Sequence, residues 1–353
     1  MAFTKQNSIQ DILNSPAIGG YIPFFFPSDL LHFVPKEMWT STLEEVGQTV
    51  RMPWGPLFGA DELLHAANTV QEIFLHLEKY EFVPLWGGER EGYLPDYGAN
   101  NKEAVCLMTI RQEAAGQKRP AAIICPGGGY STLARDNEGC TTALKLEKAG
   151  YRTFVLNYRV TPNHYPEPQK DLALAVKYVR ANRERYGIDP NRVMVMGFSA
   201  GGHLCGSFAA HHEEIEQAVM EDLEKDHSAL HERYRGISVR PDMVCLSYPV
   251  ISFVSEAHED SFQALTGGDE SLREKLSIEL QVDGDYPKTF VWACQDDELV
   301  PVSNAVRMGE ALKAAGVPSE LKIYPTGGHG CGTAEGTSAE PWMNEMLKFM
   351  NEK

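Results

Sequence analysis

The chain has 353 residues, 43% of them hydrophobic and 23% charged, with 32 basic against 49 acidic side chains and a formal charge of −17. This is the make-up of a globular protein with a large core: about two domains, or one α/β domain of roughly 250 residues with about a hundred to spare. The acidic balance argues against a protein that grips phosphate backbones and against attraction to anionic membranes, so neither nucleic acid nor membrane is an expected partner.

The first residues, Met1 to Asn7, are polar and lack the basic segment and long apolar run of a secretory signal. The early apolar run Tyr21 to Phe26 contains Pro23 and stops at Pro27, far short of the ~20 apolar residues of a spanning helix. Seven cysteines are scattered without a C-x-x-C pair, and Cys106, Cys125, Cys245 and Cys294 fall inside apolar runs. Reduced core thiols and a cytoplasmic location are the expectation.

In chain order, the first hundred residues are helical and irregular. Ser41-Thr42-Leu43-Glu44 has the form of a capping box, with Ser41 capping a helix and Glu44 reaching back. From Ala60 to Lys79, Leu63, Leu64, Ala67, Val70, Ile73, Phe74 and Leu77 recur at three- and four-residue steps, which predicts an amphipathic helix docked on a larger core.

After residue 103 short apolar runs alternate with helical segments. Strands are expected at Ala104 to Ile110, Ala121 to Cys125, Thr153 to Asn157, Arg192 to Met196, Met243 to Tyr248, Thr289 to Ala293 and Glu320 to Tyr324. Helices are expected near 138–148, 168–185 and 302–315, from Ser199, and from Pro341 to Asn351. This alternation predicts an α/β fold with a mainly parallel central sheet and helices on both faces, whose ligands gather at the strands' carboxyl ends.

The segment His211 to Glu232 breaks the rhythm with eight acids against the single base Lys225. Ile215, Val219 and Leu223 recur every four residues, which predicts a solvated helix with a narrow apolar stripe, protruding near the catalytic end of the sheet. The neighbouring His211, His212 and His227 match no metal-ligand spacing.

Gly197-Phe198-Ser199-Ala200-Gly201 stands between an apolar strand and a helix. In such a G-x-S-x-G elbow the serine sits on a strained turn, and small flanking residues let strand and helix approach. A serine hydroxyl is a poor nucleophile, so a general base must take its proton and a third group must hold that base. His329, in Thr326-Gly327-Gly328-His329-Gly330, is the histidine that follows a late strand in a glycine-rich loop. His203 lies one turn into the helix after Ser199 and reads as a packing or hydrogen-bonding residue. The orienting acid falls in Asp296-Asp297-Glu298, where chemistry alone leaves the choice open; Asp297 is favoured, with Asp296 second. Cys125-Pro126-Gly127-Gly128-Gly129-Tyr130 follows an early strand and suits an oxyanion loop, and it fits neither phosphate-loop nor dinucleotide-loop spacing.

Together with Asn157-Tyr158-Arg159, Tyr186-Gly187-Ile188-Asp189-Pro190 and Asp297 to Pro301, these motifs resemble the α/β-hydrolase superfamily. The match is nearest to its esterase/lipase branch, which includes hormone-sensitive-lipase-like and acetyl-xylan-esterase-like enzymes. The resemblance covers about residues 85–353, and the motifs occur in the family's order. It implies a catalytic set of Ser199, Asp297 and His329, and an oxyanion hole from the main-chain amides of Gly128, Gly129 and Ala200. Pro126 stands where many relatives carry histidine.

The expectation is a serine carboxylesterase for small acyl esters, acetyl esters of carbohydrates among them, with no cofactor and no metal. A formamidase, amidase or peptidase with the same catalytic set is one alternative; a non-catalytic binding protein of this fold is the other. Residues 1–84 form a helical extension, expected to cap the cleft through Phe24-Phe25-Phe26 and Trp54 or to make a homodimer contact, and residues 85–353 form the catalytic domain with an insertion at 211–240.

Overall fold

The computed structural model describes residues 2–16, 18, 34–51, 59–76, 79–90, 92–96, 99–111 and 118–352. Phe24 to Phe26 and Trp54 lie outside the described residues, as does Leu77.

An eight-stranded sheet organises the chain. Its strands are β1 (Tyr80–Pro84), β2 (Cys106–Ile110), β3 (Arg119–Cys125), β4 (Arg152–Asn157), β5 (Ile188–Phe198), β6 (Met243–Ser247), β7 (Lys288–Cys294) and β8 (Ser319–Tyr324). They lie in the order β1-β2-β4-β3-β5-β6-β7-β8. The β1–β2 and β2–β4 pairs are antiparallel, and every other pair is parallel. The helices Glu167–Ala181, Ala200–Ala210, Ser303–Ala314 and Trp342–Asn351 connect or follow the strands. Because helices cover both faces, β4, β6 and the end of β5 are buried runs without alternation. The α/β sheet is therefore the one expected, with strand ends shifted by a few residues.

Three expectations are corrected. The strand β1 precedes residue 85 and was hidden by the helical period read through Lys79; the helix Ala60–Leu75 ends earlier, and Tyr80 to Pro84 pair with Ile110 to Cys106. The capping box sits one residue later. Thr42 Oγ1 accepts the Glu45 amide at 3.2 Å and Glu45 Oε2 accepts the Thr42 amide at 2.9 Å, while the Ser41 amide closes a turn on Met38. A bridge between Ser8 and Thr42 holds Thr42 extended, as a cap residue must be.

The third correction concerns the acidic segment. The helix His212–Asp226 lies down on Glu167–Ala181 with Ile215, Val219 and Leu223 fully buried. Its carboxylates meet lysines of other elements: Glu214 with Lys275, Glu216 with Lys177, and Asp222 with Lys170 and Lys102. It is a docked element and not a protrusion. The rings of His211 and His212 hydrogen-bond the carbonyls of Lys275 and Ala209.

The N-terminal extension packs into the same core. Leu63, Ala67, Val70 and Ile73 of Ala60–Leu75 are buried in the hydrophobic cluster shared with the sheet, and that helix rests on the π-helical turn Arg135–Thr141.

Candidate active site

Four strand ends supply the site. The G-x-S-x-G turn follows β5: Ser199 has φ +52° and ψ −120°, a strained backbone, and its amide bonds the Ser247 carbonyl at 3.0 Å. The flanking glycines are required by contact. A Cβ on Gly197 would stand 2.0 Å from the Gly201 carbonyl oxygen, and one on Gly201 would stand 2.1 Å from that of Cys125.

After β7 and β8 the two remaining groups come together. His329 Nε2 is 2.8 Å from Ser199 Oγ, and its Nδ1 is 2.7 Å from Asp297 Oδ2. The second oxygen of Asp297 accepts the amides of Leu299 at 3.0 Å and Val300 at 2.9 Å, which fixes the carboxylate. With Asp297 accepting only, Nδ1 carries the imidazole proton and Nε2 is the acceptor facing the serine hydroxyl. Asp296 points elsewhere: its carboxylate accepts the amides of Gly328 at 2.8 Å and Gly327 at 3.3 Å, bracing the loop that carries His329.

The loop Pro126 to Tyr130 follows β3. Gly128 has φ +126°, and the amides of Ser131 and Thr132 close on its carbonyl. Among the described residues, no backbone bond of the fold uses the amides of Gly128, Gly129 or Ala200. Tyr158 donates its hydroxyl to the Pro126 carbonyl at 2.6 Å, and Arg159 clasps the fully buried Asp171. His203 is buried and neutral: Nε2–H donates to the Leu276 carbonyl at 2.8 Å, and Nδ1 accepts the Tyr130 hydroxyl at 2.9 Å. Burial pushes its imidazole down to about 4.

Residues that the sequence left unmarked crowd the same place. Glu138 Oε2 accepts the Gly127 amide at 2.6 Å and its Oε1 accepts the Tyr248 hydroxyl at 2.9 Å. Burial pushes this carboxyl up, while the Gly127 amide, the Tyr248 hydroxyl and His329 pull it back. The Tyr248 ring stands edge-on to His329 with centroids 5.0 Å apart. Ser261 Oγ lies 2.8 Å from His258 Nδ1 and near Gly129, and burial followed by the proximity of His329 holds the His258 imidazole below its usual range. Nothing local marks Glu138 or Tyr248: one sits in a helix-like stretch, the other ends an apolar strand.

Residues 108–312, more than half of the chain, match the family described as BD-FAE. The chain belongs to this α/β-hydrolase family. Among curated relatives it is 34% identical over 232 residues to endo-1,4-beta-xylanase B of Butyrivibrio fibrisolvens, covering 64% of this chain and 34% of that protein. It is 32% identical over 219 residues to an acetylxylan esterase of Xylanibacter ruminicola, covering 60% of this chain and 41% of the other. The matches thus span about a third to two fifths of these relatives' length. A solved structure, the acetyl ester-xyloside bifunctional hydrolase of Caldicellulosiruptor lactoaceticus, superposes with a TM-score of 0.65 at 36% identity, covering 76% of this chain and 94% of that one. No helix among the described residues is long and apolar enough to cross a membrane.

Proposed function

We propose that this BD-FAE family member is a serine carboxylesterase for short acyl esters, with acetyl groups on carbohydrate hydroxyls as its foremost substrates. The observation that carries this reading is the unbroken hydrogen-bond chain from Asp297 through His329 to Ser199 beside a glycine-rich loop.

Ser199 Oγ attacks the ester carbonyl while His329 Nε2 takes its proton, and Asp297 stabilises the imidazolium across the 2.7 Å bond. The amides of Gly128, Gly129 and Ala200 receive the developing oxyanion, an interaction worth about 3 kcal/mol per donor. His329 hands its proton to the departing alcohol, then activates a water that releases the acid and restores Ser199. The scheme uses no metal or nucleotide. The carbohydrate part of the reading is supported by the similarity to an acetylxylan esterase and to an acetyl ester-xyloside bifunctional hydrolase.

A fluorophosphonate probe should label the protein rapidly and stoichiometrically, and Ser199→Ala should abolish labelling. Folded protein that resists the probe would overturn the esterase reading. A panel of p-nitrophenyl esters of rising chain length, acetylated xylo-oligosaccharides, formanilides and peptides then ranks the substrates. The expected order places acetyl esters first; a formanilide or peptide ahead of them would replace the ester by that bond.

A further inference from the structure

The oxyanion loop and the histidine loop both lie beyond the ends of their strands, so the sheet's hydrogen bonds do not fix one against the other. One short segment touches both. The π-helical turn Arg135–Thr141 carries Glu138, whose two carboxylate oxygens divide between the two loops. Oε2 accepts the amide of Gly127, and a Cβ on that glycine would stand 2.8 Å from Ser199 Cβ, so the bond is made against the nucleophile itself. Oε1 accepts the hydroxyl of Tyr248, and that hydroxyl in turn accepts the amide of Gly332 at 2.9 Å, three residues beyond His329. The neighbouring Asn137 donates its side-chain amide to the carbonyl of Gly330 at 2.9 Å, a second tie to the same loop.

Two features set this apart from ordinary core packing. Tyr248 adopts φ +34°, a left-handed backbone that a tyrosine keeps only where its surroundings over-determine it. Its amide is held by the Trp292 carbonyl at 2.6 Å, and its ring is set edge-on against His329. Glu138 is a carboxylate buried to 3% exposure, a placement tolerated only when its oxygens are satisfied. Pi-helical turns of this kind recur at functional sites because they re-aim a side chain out of helical register.

We infer that Glu138, acting through Tyr248, is a positioning residue that fixes the oxyanion loop relative to the general base, so that the two halves of the transition-state cradle stay in register. The inference rests on the esterase reading above. Neither residue touches the acyl group; each acts through backbone amides and the His329 ring. Misplacing a catalytic group by about 1 Å is enough to lose roughly 100-fold in rate.

The test measures kcat, KM and the rate of fluorophosphonate labelling on the full chain, with every kcat expressed per labelled serine. Glu138→Gln should lower kcat by about 10- to 100-fold and slow labelling in parallel, because the amide cannot accept both donors. Tyr248→Phe, which keeps the ring but removes the bridge, should lower kcat by about 10-fold, and KM should move less than about twofold in both variants. The double variant should be no slower than Glu138→Gln alone, since both changes cut one connection. A merely structural glutamate would reduce the yield of labelled protein or its melting temperature and leave kcat per labelled serine intact. That outcome, or losses that multiply in the double variant, overturns the inference. Should Glu138→Gln not fold, Tyr248→Phe decides: a kcat and a labelling rate within twofold of the parent reject the link. Wild-type protein that resists the probe instead sinks the esterase reading on which all of this depends.

Discussion

On the acidic helix His212–Asp226, carboxylates lie at the surface and, apart from Glu216 with the buried Lys177, meet partly exposed lysines, whereas Glu138, Asp171 and Asp297 are buried and each meets donors held in place by the fold. Exposed pairs contribute about 0–1 kcal/mol each, because water screens them and long side chains must be ordered. Breaking a buried pair such as Arg159 with Asp171 is expected to cost about 3–5 kcal/mol, since the charge left behind has no solvent. In the proposed reaction, the carboxylates that matter to chemistry are therefore a few whose donors are fixed by the fold.

The sharpest way to break this comparison sets two adjacent acids against each other. Asp297→Asn leaves the imidazole without its acceptor and should lower kcat by about 10³- to 10⁴-fold. Asp296→Asn, which keeps one acceptor for the Gly327 and Gly328 amides at an exposed position, should cost less than about 10-fold. Steady-state kinetics on a p-nitrophenyl ester checks both, and comparable losses would blur the division between buried and exposed acids.

A smaller effect tests burial through a different group. The unfolded chain protonates a histidine near its ordinary value of about 6.5, while folded His203 resists until about 4, so the unfolded state binds more protons between these values. The stability due to neutral His203 is complete above pH 6.5 and is lost as pH falls towards 4, by about 3 kcal/mol in total. His203→Gln, whose amide can still donate to Leu276 and accept from Tyr130, should remove most of that acid sensitivity in urea titrations at pH 7.5 and 4.5. An unchanged difference between the two pH values would place the acid-labile group elsewhere.

The smallest effect belongs to the acidic helix. Glu213→Gln together with Glu224→Gln, both exposed, should leave the melting temperature within about 2 °C and kcat/KM unchanged. A large change in kcat/KM would mean that the surface charge takes part in substrate selection.

How far this was legible in the sequence depends on how local each feature is. Ser199 and His329 announce themselves because the elbow and the glycine loop need small residues at fixed offsets, and the 2.0 Å approach at Gly197 is the reason. Asp297 could be favoured over Asp296 only by position; the structure separates them by which donors each accepts. The stripe Ile215, Val219, Leu223 revealed a buried face but not the helix it lies on, because docking depends on residues far along the chain. β1 escaped notice because Tyr80 to Pro84 is too short to stand out from the preceding helical period, and its role is set by pairing with β2. Glu138 and Tyr248 escaped for the same reason at the scale of single bonds: their partners are 11 and 84 or more residues away.

The placement of His329 after β8, the edge strand and the last of the sheet, bears on how the protein comes into being. Ser199 and its base are 130 residues apart. At about 5–20 residues per second, a ribosome makes the serine on the order of ten seconds before the histidine. On the proposed mechanism, the nascent chain holds Ser199 through that interval without the base that would activate it. Asp297 and His329 then arrive after neighbouring strands, so the proposed esterase activity would appear only once the sheet's final edge is laid down.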